Sequence, residues 1–256
     1  MALIEFSGLT KQFGAVTAIE NLTFSLVPGR VTGFVGSNGA GKSTTMRALL
    51  GLLRPTSGTA TIDGMAYRDL AHPIRSIGAM VDPQVFHPRR SARNALRVVA
   101  RAAELPPGRV DEVLGLVGLT EVAGRRVGGF SMGMRQRLAL ASALLGDPET
   151  VVLDEPANGL DPEGVHWLRG LIRSMAADGR TVFVSSHLLA ELAQTVDDVV
   201  IISHGQLVTH EPMAQLLTRA GQSSLEEVFL SLISPSTQNP PPTAVADRAK
   251  TQRSVQ

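Results

Sequence analysis

Short apolar runs punctuated by turn formers dominate the first part of the chain. Residues 2–35 alternate such runs with turn signals, notably Val27-Pro28-Gly29-Arg30 ahead of Val31-Thr32-Gly33-Phe34-Val35. That last run predicts a buried strand. It enters a glycine-rich stretch, after which residues 44–53 read as a helix. Pro55, Ser57 and Gly58 stop that helix, and residues 59–64 predict another short strand and turn. The pattern changes between about 85 and 130, where Arg89, Arg90, Arg93, Arg97 and Arg101 interleave with Ala, Leu and Val at helical spacing. This predicts a mostly helical insert between two core strands, reaching to about residue 145, with the arginines on a solvated face. From residue 150 strands and helices alternate: strand 151–153, helix 162–177, strand 181–185, helix 188–196 and strand 199–203. Such alternation implies an α/β fold with a mainly parallel sheet covered on both faces. The polar, proline-rich stretch beyond Ile233 predicts a disordered tail over 234–256, leaving residues 1–233 as the folded domain. No internal repeat is visible.

The chemistry lies in two of the junctions. Gly36-Ser37-Asn38-Gly39-Ala40-Gly41-Lys42-Ser43 follows the predicted strand 31–35 and, with Thr44, opens the next helix. Glycines there let backbone N–H groups approach nucleotide phosphates, while the lysine reaches the outer phosphates and the serine hydroxyl meets Mg²⁺. Kinases, GTPases and motor ATPases share this loop, so it indicates ATP or GTP without naming a function. The second junction ends the apolar strand of Val151-Val152-Leu153 with Asp154 and Glu155. Asp154 is placed to reach the metal beside Ser43, directly or through water. Glu155 either polarises a water for in-line attack on the γ-phosphate or is a plain turn carboxylate.

Composition narrows the surroundings. At 256 residues the chain suits one large, two-lobed unit. With 24 Lys and Arg against 23 Asp and Glu, a formal charge of +1 supplies no general field for nucleic acid, and no nucleic-acid partner is expected. The absence of cysteine excludes a disulfide framework and thiolate metal sites. The start, Met1-Ala2-Leu3-Ile4-Glu5-Phe6, is unlike a secretory signal, and no apolar run approaches the roughly 20 residues that span a bilayer. Any action at a membrane is therefore expected to run through another chain.

A third segment discriminates among the functions. Phe130-Ser131-Met132-Gly133-Met134-Arg135-Gln136-Arg137 precedes an apolar helix, and Ser131 stands at its start with free N–H groups. In isolation this is an ordinary serine cap. Placed between the phosphate loop and the acidic strand, it resembles the signature motif of ATP-binding cassette (ABC) ATPases. Asp154-Glu155-Pro156-Ala157-Asn158-Gly159-Leu160-Asp161-Pro162 resembles that family's acidic strand end and D-loop, with Asp161 in the aspartate position. Ser185-Ser186-His187 resembles its switch histidine and Lys11-Gln12-Phe13-Gly14 its aromatic loop. The resemblance runs from about residue 3 to 232.

The resemblance implies a P-loop NTPase core with an N-terminal antiparallel β subdomain and an inserted α-helical subdomain. It also implies two ATP molecules sandwiched between two ATP-binding subunits, as a homodimer or a heterodimer. Ser131 and Gly133 would then address the γ-phosphate held by the partner's loop, Phe13 would stack on adenine, Lys42 would hold the β- and γ-phosphates, and His187 would contact the γ-phosphate. His72, His87, His166, His204 and His210 lack such context and read as surface residues. Two departures stand out. Phe130, Met132 and Met134 replace the signature's commonest leucine, glycine and glutamine. In Ile77-Gly78-Ala79-Met80-Val81-Asp82-Pro83-Gln84-Val85-Phe86-His87-Pro88, the flanking match puts Asp82 at the Q-loop position, and Gln84 serves only if the loop shifts by two residues. Asp82 would bring an extra charge to the metal and no amide donor.

The subunits most resembled are ATPases of bacterial drug and antibiotic exporters with separate transmembrane partners. Ser224-Leu225-Glu226-Glu227-Val228-Phe229-Leu230 matches a C-terminal feature of that group. The expected location is the cytoplasmic face of the membrane, with Phe86 and its apolar neighbours either docking the membrane subunit or packing within the insert. The alternative is a soluble cassette ATPase acting on nucleic acid, ribosomes or cluster assembly, against which stand the single cassette and the near-zero charge.

Overall fold

The computed structural model describes residues 3–82, 86–187, 189–221 and 224–233. The predicted tail, 234–256, lies outside them. Among the described residues the strands are β1 (Ile4–Phe13), β2 (Val16–Leu26), β3 (Val31–Val35), β4 (Ser57–Ile62) and β5 (Ile77–Met80). They continue as β6 (Thr150–Leu153), β7 (Thr181–Ser186), β8 (Asp198–Ser203) and β9 (Gln206–Pro212). Two sheets result, an antiparallel one in the order β2-β1-β4 and a larger one in the order β5-β6-β7-β3-β8-β9. In the larger sheet only β9 runs antiparallel, to β8.

Strict alternation along the central strands explains why both faces of the large sheet are covered. Val182 and Val184 of β7, Val151 and Leu153 of β6, and Val199 and Ile201 of β8 enter one core. Phe183, Val152, Val200 and Ile202, the residues between, enter another. The first core lies under most of the helices; the second lies under the antiparallel sheet and also takes Met46, Ala48 and Leu49 from the helix that follows the phosphate loop. In the second, Phe34 and Phe183 lie 5.0 Å apart between ring centroids, and Phe6 stacks on Phe24 at 4.4 Å. Burying each such ring is worth about 1.5–3 kcal/mol.

The helices are α1 (Lys42–Leu49), α2 (Pro73–Ser76), α3 (Ala92–Ala102), α4 (Arg109–Leu116), α5 (Met132–Ala143), α6 (Pro162–Ala177), α7 (Leu189–Ala193), α8 (Met213–Ala220) and α9 (Leu225–Ile233). The predicted insert contains α3, α4 and α5. Arg97 and Arg101 lie on the exposed face of α3, and Arg93 pairs with Asp111 of α4 at 2.8 Å. Phe86 packs partly against the helical core. The end of α5 presses against β5, where Gly78 admits the Ala143 carbonyl.

Several boundaries differ from the sequence reading. The helix after the phosphate loop begins two residues earlier than read, at Lys42, and ends at Leu49, ahead of Gly51 in the left-handed region. The strand read at 59–64 spans Ser57–Ile62, and the helix read at 188–196 is described over Leu189–Ala193. His72, His87, His166 and His204 are exposed, whereas His210 is half-buried with its ring edge-on to Phe24 at 6.0 Å.

Candidate functional site

Parallel strands deliver the chemistry to one edge. The loop after β3, the acids after β6, His187 after β7 and Asp82 after β5 all leave the carboxyl ends of the large sheet, where open α/β sheets gather ligands. Backbone demands shape the loop after β3. Gly41 has φ 106°, and a Cβ there would lie 2.7 Å from the Ala18 carbonyl oxygen. Gly36 is equally confined, 2.7 Å from the Ile202 carbonyl oxygen. Gly39, at φ 83°, borders open space. Ser37, Asn38 and Gly39 form an exposed crest, while Gly36 and Ala40 are buried beneath it.

Lys42 is 6% exposed. Its Nζ donates to the carbonyls of Gly36 at 2.7 Å and Ser37 at 3.4 Å, and lies 3.7 Å from Glu155 Oε1. Ser43 and Thr44 follow on the first turn of α1 and are half-buried.

Glu155 occupies a left-handed backbone position, φ 50°, uncommon for a residue with a side chain. Its Oε2 lies 2.6 Å from His187 Nδ1 and accepts from the His187 backbone N–H at 3.3 Å. Ser185 ties the acids to β7: its Oγ donates to Asp154 Oδ1 at 2.6 Å and accepts from the Glu155 N–H at 2.9 Å. The Asp154 N–H donates in turn to the Met80 carbonyl at 2.8 Å. Lys42, Asp154, Glu155 and His187 thus form one connected group. Ser185 is a member the sequence reading missed; its signal was a polar residue in a strand buried at every position.

Asp82 is exposed, two residues beyond the end of β5, and Gln84 lies outside the described residues. Ser43, Asp154 and Asp82 are hard oxygen donors. Among the described residues no three His, Cys, Asp or Glu side chains cluster as a metal cage. A short carboxylate and hydroxyl set of this kind suits Mg²⁺, which keeps waters and takes phosphate oxygens as ligands.

Phe13, Ser131, Gly133 and Asp161 stand apart from that group. Phe13 is 50% exposed at the end of β1, with Lys11 Nζ 4.9 Å from its ring centroid. It shares a hairpin with Ala18, the residue that abuts Gly41. Ser131 is exposed and caps α5, accepting from the Met134 N–H at 3.2 Å. Gly133 approaches the Gly159 carbonyl and Leu160 closely, a Cβ there lying 3.4 Å from each. Asp161 caps α6, accepting from the Gly164 N–H at 2.8 Å.

A buried lysine under a glycine crest, facing two acids and a histidine, is equipped to bind and split a nucleoside triphosphate. Comparison with known proteins agrees. The family model described as ABC transporter matches residues 19–158. The chain is 42% identical over 220 residues to the bacitracin transport ATP-binding protein BcrA of Bacillus licheniformis, covering 85% of this chain and 72% of that protein. It is 34% identical over 229 residues to the lantibiotic transport ATP-binding protein SrtF of Streptococcus pyogenes, covering 89% and 96%. A solved ATP-binding subunit of an ABC transporter matches with a TM-score of 0.81 at 27% identity, over 90% of this chain and 99% of that one. The chain belongs to the ABC transporter family and is an ATPase of that family.

Proposed function

We propose that two copies of this cassette, or this cassette and a relative, close on ATP and drive separate transmembrane subunits of an exporter. The observation carrying this reading is that one chain offers two complementary exposed features: the crest of Ser37, Asn38 and Gly39 above Lys42, and the capped start of α5 at Ser131. The crest, with Gly36, Ala40, Gly41, Lys42, Ser43 and Thr44, would surround the phosphates, and Phe13 would stack on adenine. Ser131, Gly133 and Asp161 would meet the nucleotide held by the partner. Ser43 and Asp154, with Asp82, would hold Mg²⁺, which neutralises phosphate charge when bound.

Glu155 serves as the base for the attacking water, and His187 holds its carboxylate while contacting the γ-phosphate. ATP binding closes the pair and hydrolysis reopens it. Among the described residues no helix is long and apolar enough to cross a membrane. The bacitracin and lantibiotic transport relatives support an exporter, working peripherally at the cytoplasmic face, with residues 1–233 as its ATPase domain and residues 85–145 facing the membrane subunit.

Glu155→Gln tests the base. Hydrolysis should fall about 10²- to 10⁴-fold, the usual worth of a positioned base, while ATP binding persists and a dimer accumulates on size exclusion in ATP. Ser131→Arg should abolish both dimer and hydrolysis and leave ATP binding by the single chain intact. Equal loss of binding and hydrolysis in Ser131→Arg refutes the shared site.

A further inference from the structure

Gln136 is 5% exposed, an amide buried on α5 between the half-buried Arg135 and Arg137 and one turn ahead of buried Ala139 and Leu140. Its Nε2 donates to the Asn158 carbonyl oxygen at 2.8 Å. That acceptor fixes the amide's orientation, because only the NH₂ end can donate to a carbonyl. The other end, Oε1, is buried with no hydrogen-bond partner among the described residues. An unpaired buried acceptor costs about 1–3 kcal/mol, and an apolar residue of the same size would avoid it. Stability alone therefore does not account for glutamine here. Its donor does.

The bond falls on the turn that carries the base. Asn158 N–H donates to the Glu155 carbonyl at 3.2 Å, so Asn158 closes the turn that Glu155 opens in its left-handed conformation. Ser185 pins one end of this turn and Gln136 the other. Met132 adds a second contact: Gly159, at φ 77°, lies so close that a Cβ there would sit 3.2 Å from Met132 Cβ, and nearer still to its thioether. Beside the turn is a cavity of about 290 Å³ lined by Asp154, Glu155 and Asn158 and, from α5, by Met132, Arg135 and Gln136. The carboxylate has room to swing if the turn is released.

We propose that Gln136 is a positioning residue that aims Glu155 of its own chain, joining the α5 helix that begins at Ser131 to the base of the opposite composite site. This rests on the shared-site reading above. Since Ser131 and Gln136 ride on one helix, engagement of Ser131 by nucleotide on the partner would bear on Glu155 through the Asn158 turn.

The test uses the full chain with Gln136→Met, which keeps volume and deletes the donor, and Gln136→Leu, a second apolar side chain with no donor. Each should lower kcat about 10- to 100-fold, the cost of an ångström-scale misplacement, with KM for ATP held within about twofold. In a Glu155→Gln background, Gln136→Met should form the ATP-dependent dimer as well as Glu155→Gln alone. Unchanged kcat overturns the proposal, as does loss of that dimer, which would assign Gln136 to the helix tip. Should Gln136→Met fail to fold, Gln136→Leu gives the same kcat and KM readings. If Glu155→Gln alone yields no dimer, the shared-site reading fails instead, and the kcat-against-KM split still decides whether Gln136 aims the base.

Discussion

Replacing Gly78 by alanine would push β5 away from the end of α5. A Cβ at Gly78 would lie 2.9 Å from the Ala143 carbonyl carbon and 2.8 Å from Pro148 Cγ, with the Ala143 oxygen nearer still. Carbon atoms at ease sit about 3.5–4.0 Å apart, so backbone on one side must move by roughly 1 Å. Neither side yields cheaply. β5 is paired to β6 along its whole length, from Ile77 opposite Thr150 to Met80 opposite Leu153, and α5 is anchored in the core by its own fully buried Leu138 and Ala141. Overpacking of a close-packed core costs about 1–3 kcal/mol, and a backbone collision belongs at the upper end. For a chain of this size each kcal/mol moves Tm by roughly 2–4 °C, which predicts a fall of about 6–12 °C.

Gly170 supplies the control. It lies exposed inside α6, and a Cβ there meets nothing within 4 Å. Gly170→Ala should stabilise by about 0.4–1 kcal/mol through the unfolded chain's lost freedom. Both variants are read by differential scanning calorimetry under one buffer. A Gly78→Ala protein melting within about 1 °C of the parent would refute the close approach of α5 to β5. A functional loss should accompany the thermal one, because α5 starts at Ser131 and a displaced end tilts the whole helix.

Ser185→Ala removes the donor to Asp154 and the acceptor for the Glu155 N–H together. Losing a hydrogen bond to a charged group costs about 1.5–3 kcal/mol, so the Mg²⁺ concentration for half-maximal hydrolysis should rise about tenfold or more; an unaltered Mg²⁺ titration would remove Ser185 from the site. His210 gives a pH prediction. Burial lowers its pKa from the ordinary 6.5, against the opposing charge of Asp198, so the unfolded chain takes up this proton before the folded one. Its stabilising contribution is complete above 6.5 and is lost as pH falls through the lowered value. Around it, burial raises the Asp198 pKa against the pull of Arg30 and His210. That of Asp197 is lowered: burial works against this, but hydrogen bonds from Arg173 and the Val31 N–H prevail. Melting curves between pH 7.5 and 5.5 should therefore fall more steeply for the parent than for His210→Gln, and parallel slopes would contradict the burial of His210.

What was legible in the sequence follows from what is local. β3, β6, β7 and β8 announced themselves because strands buried on both faces read as continuous apolar runs. Gly41 was legible because its backbone angle excludes other residues, and Lys42 because the loop must end in a cation. Ser185 and Gln136 were not. Their partners lie 31 and 22 residues away, at Asp154 and Asn158, and nothing in spacing links a serine in one strand to an acid in another. His210 was misplaced for the same reason, since Phe24, to which its ring stands edge-on, is far away in β2.

The geometry of the site follows from strand register, and the register from the aromatic layer beneath the antiparallel sheet. Leu153 pairs with Val184, which sets Asp154 level with Ser185 and Glu155 level with the residues before His187. Val35 pairs with Ser186, which sets Gly36 beside His187. A one-residue slip of β7 would break both relations and would also exchange its faces. Phe183 would leave Phe34 and Phe6, at 5.0 and 6.2 Å, and enter the helix-facing core, where Val182 and Val184 now pack. Valine could not fill the space left among Phe6, Phe24 and Phe34, and trading a phenylalanine for a smaller residue in such a core costs a few kcal/mol. The antiparallel sheet, which contributes Phe6 and Phe24, thus does more than cover the large sheet: by fixing where Phe183 sits, it holds the hydroxyl of Ser185 against Asp154 and the ring of His187 against Glu155.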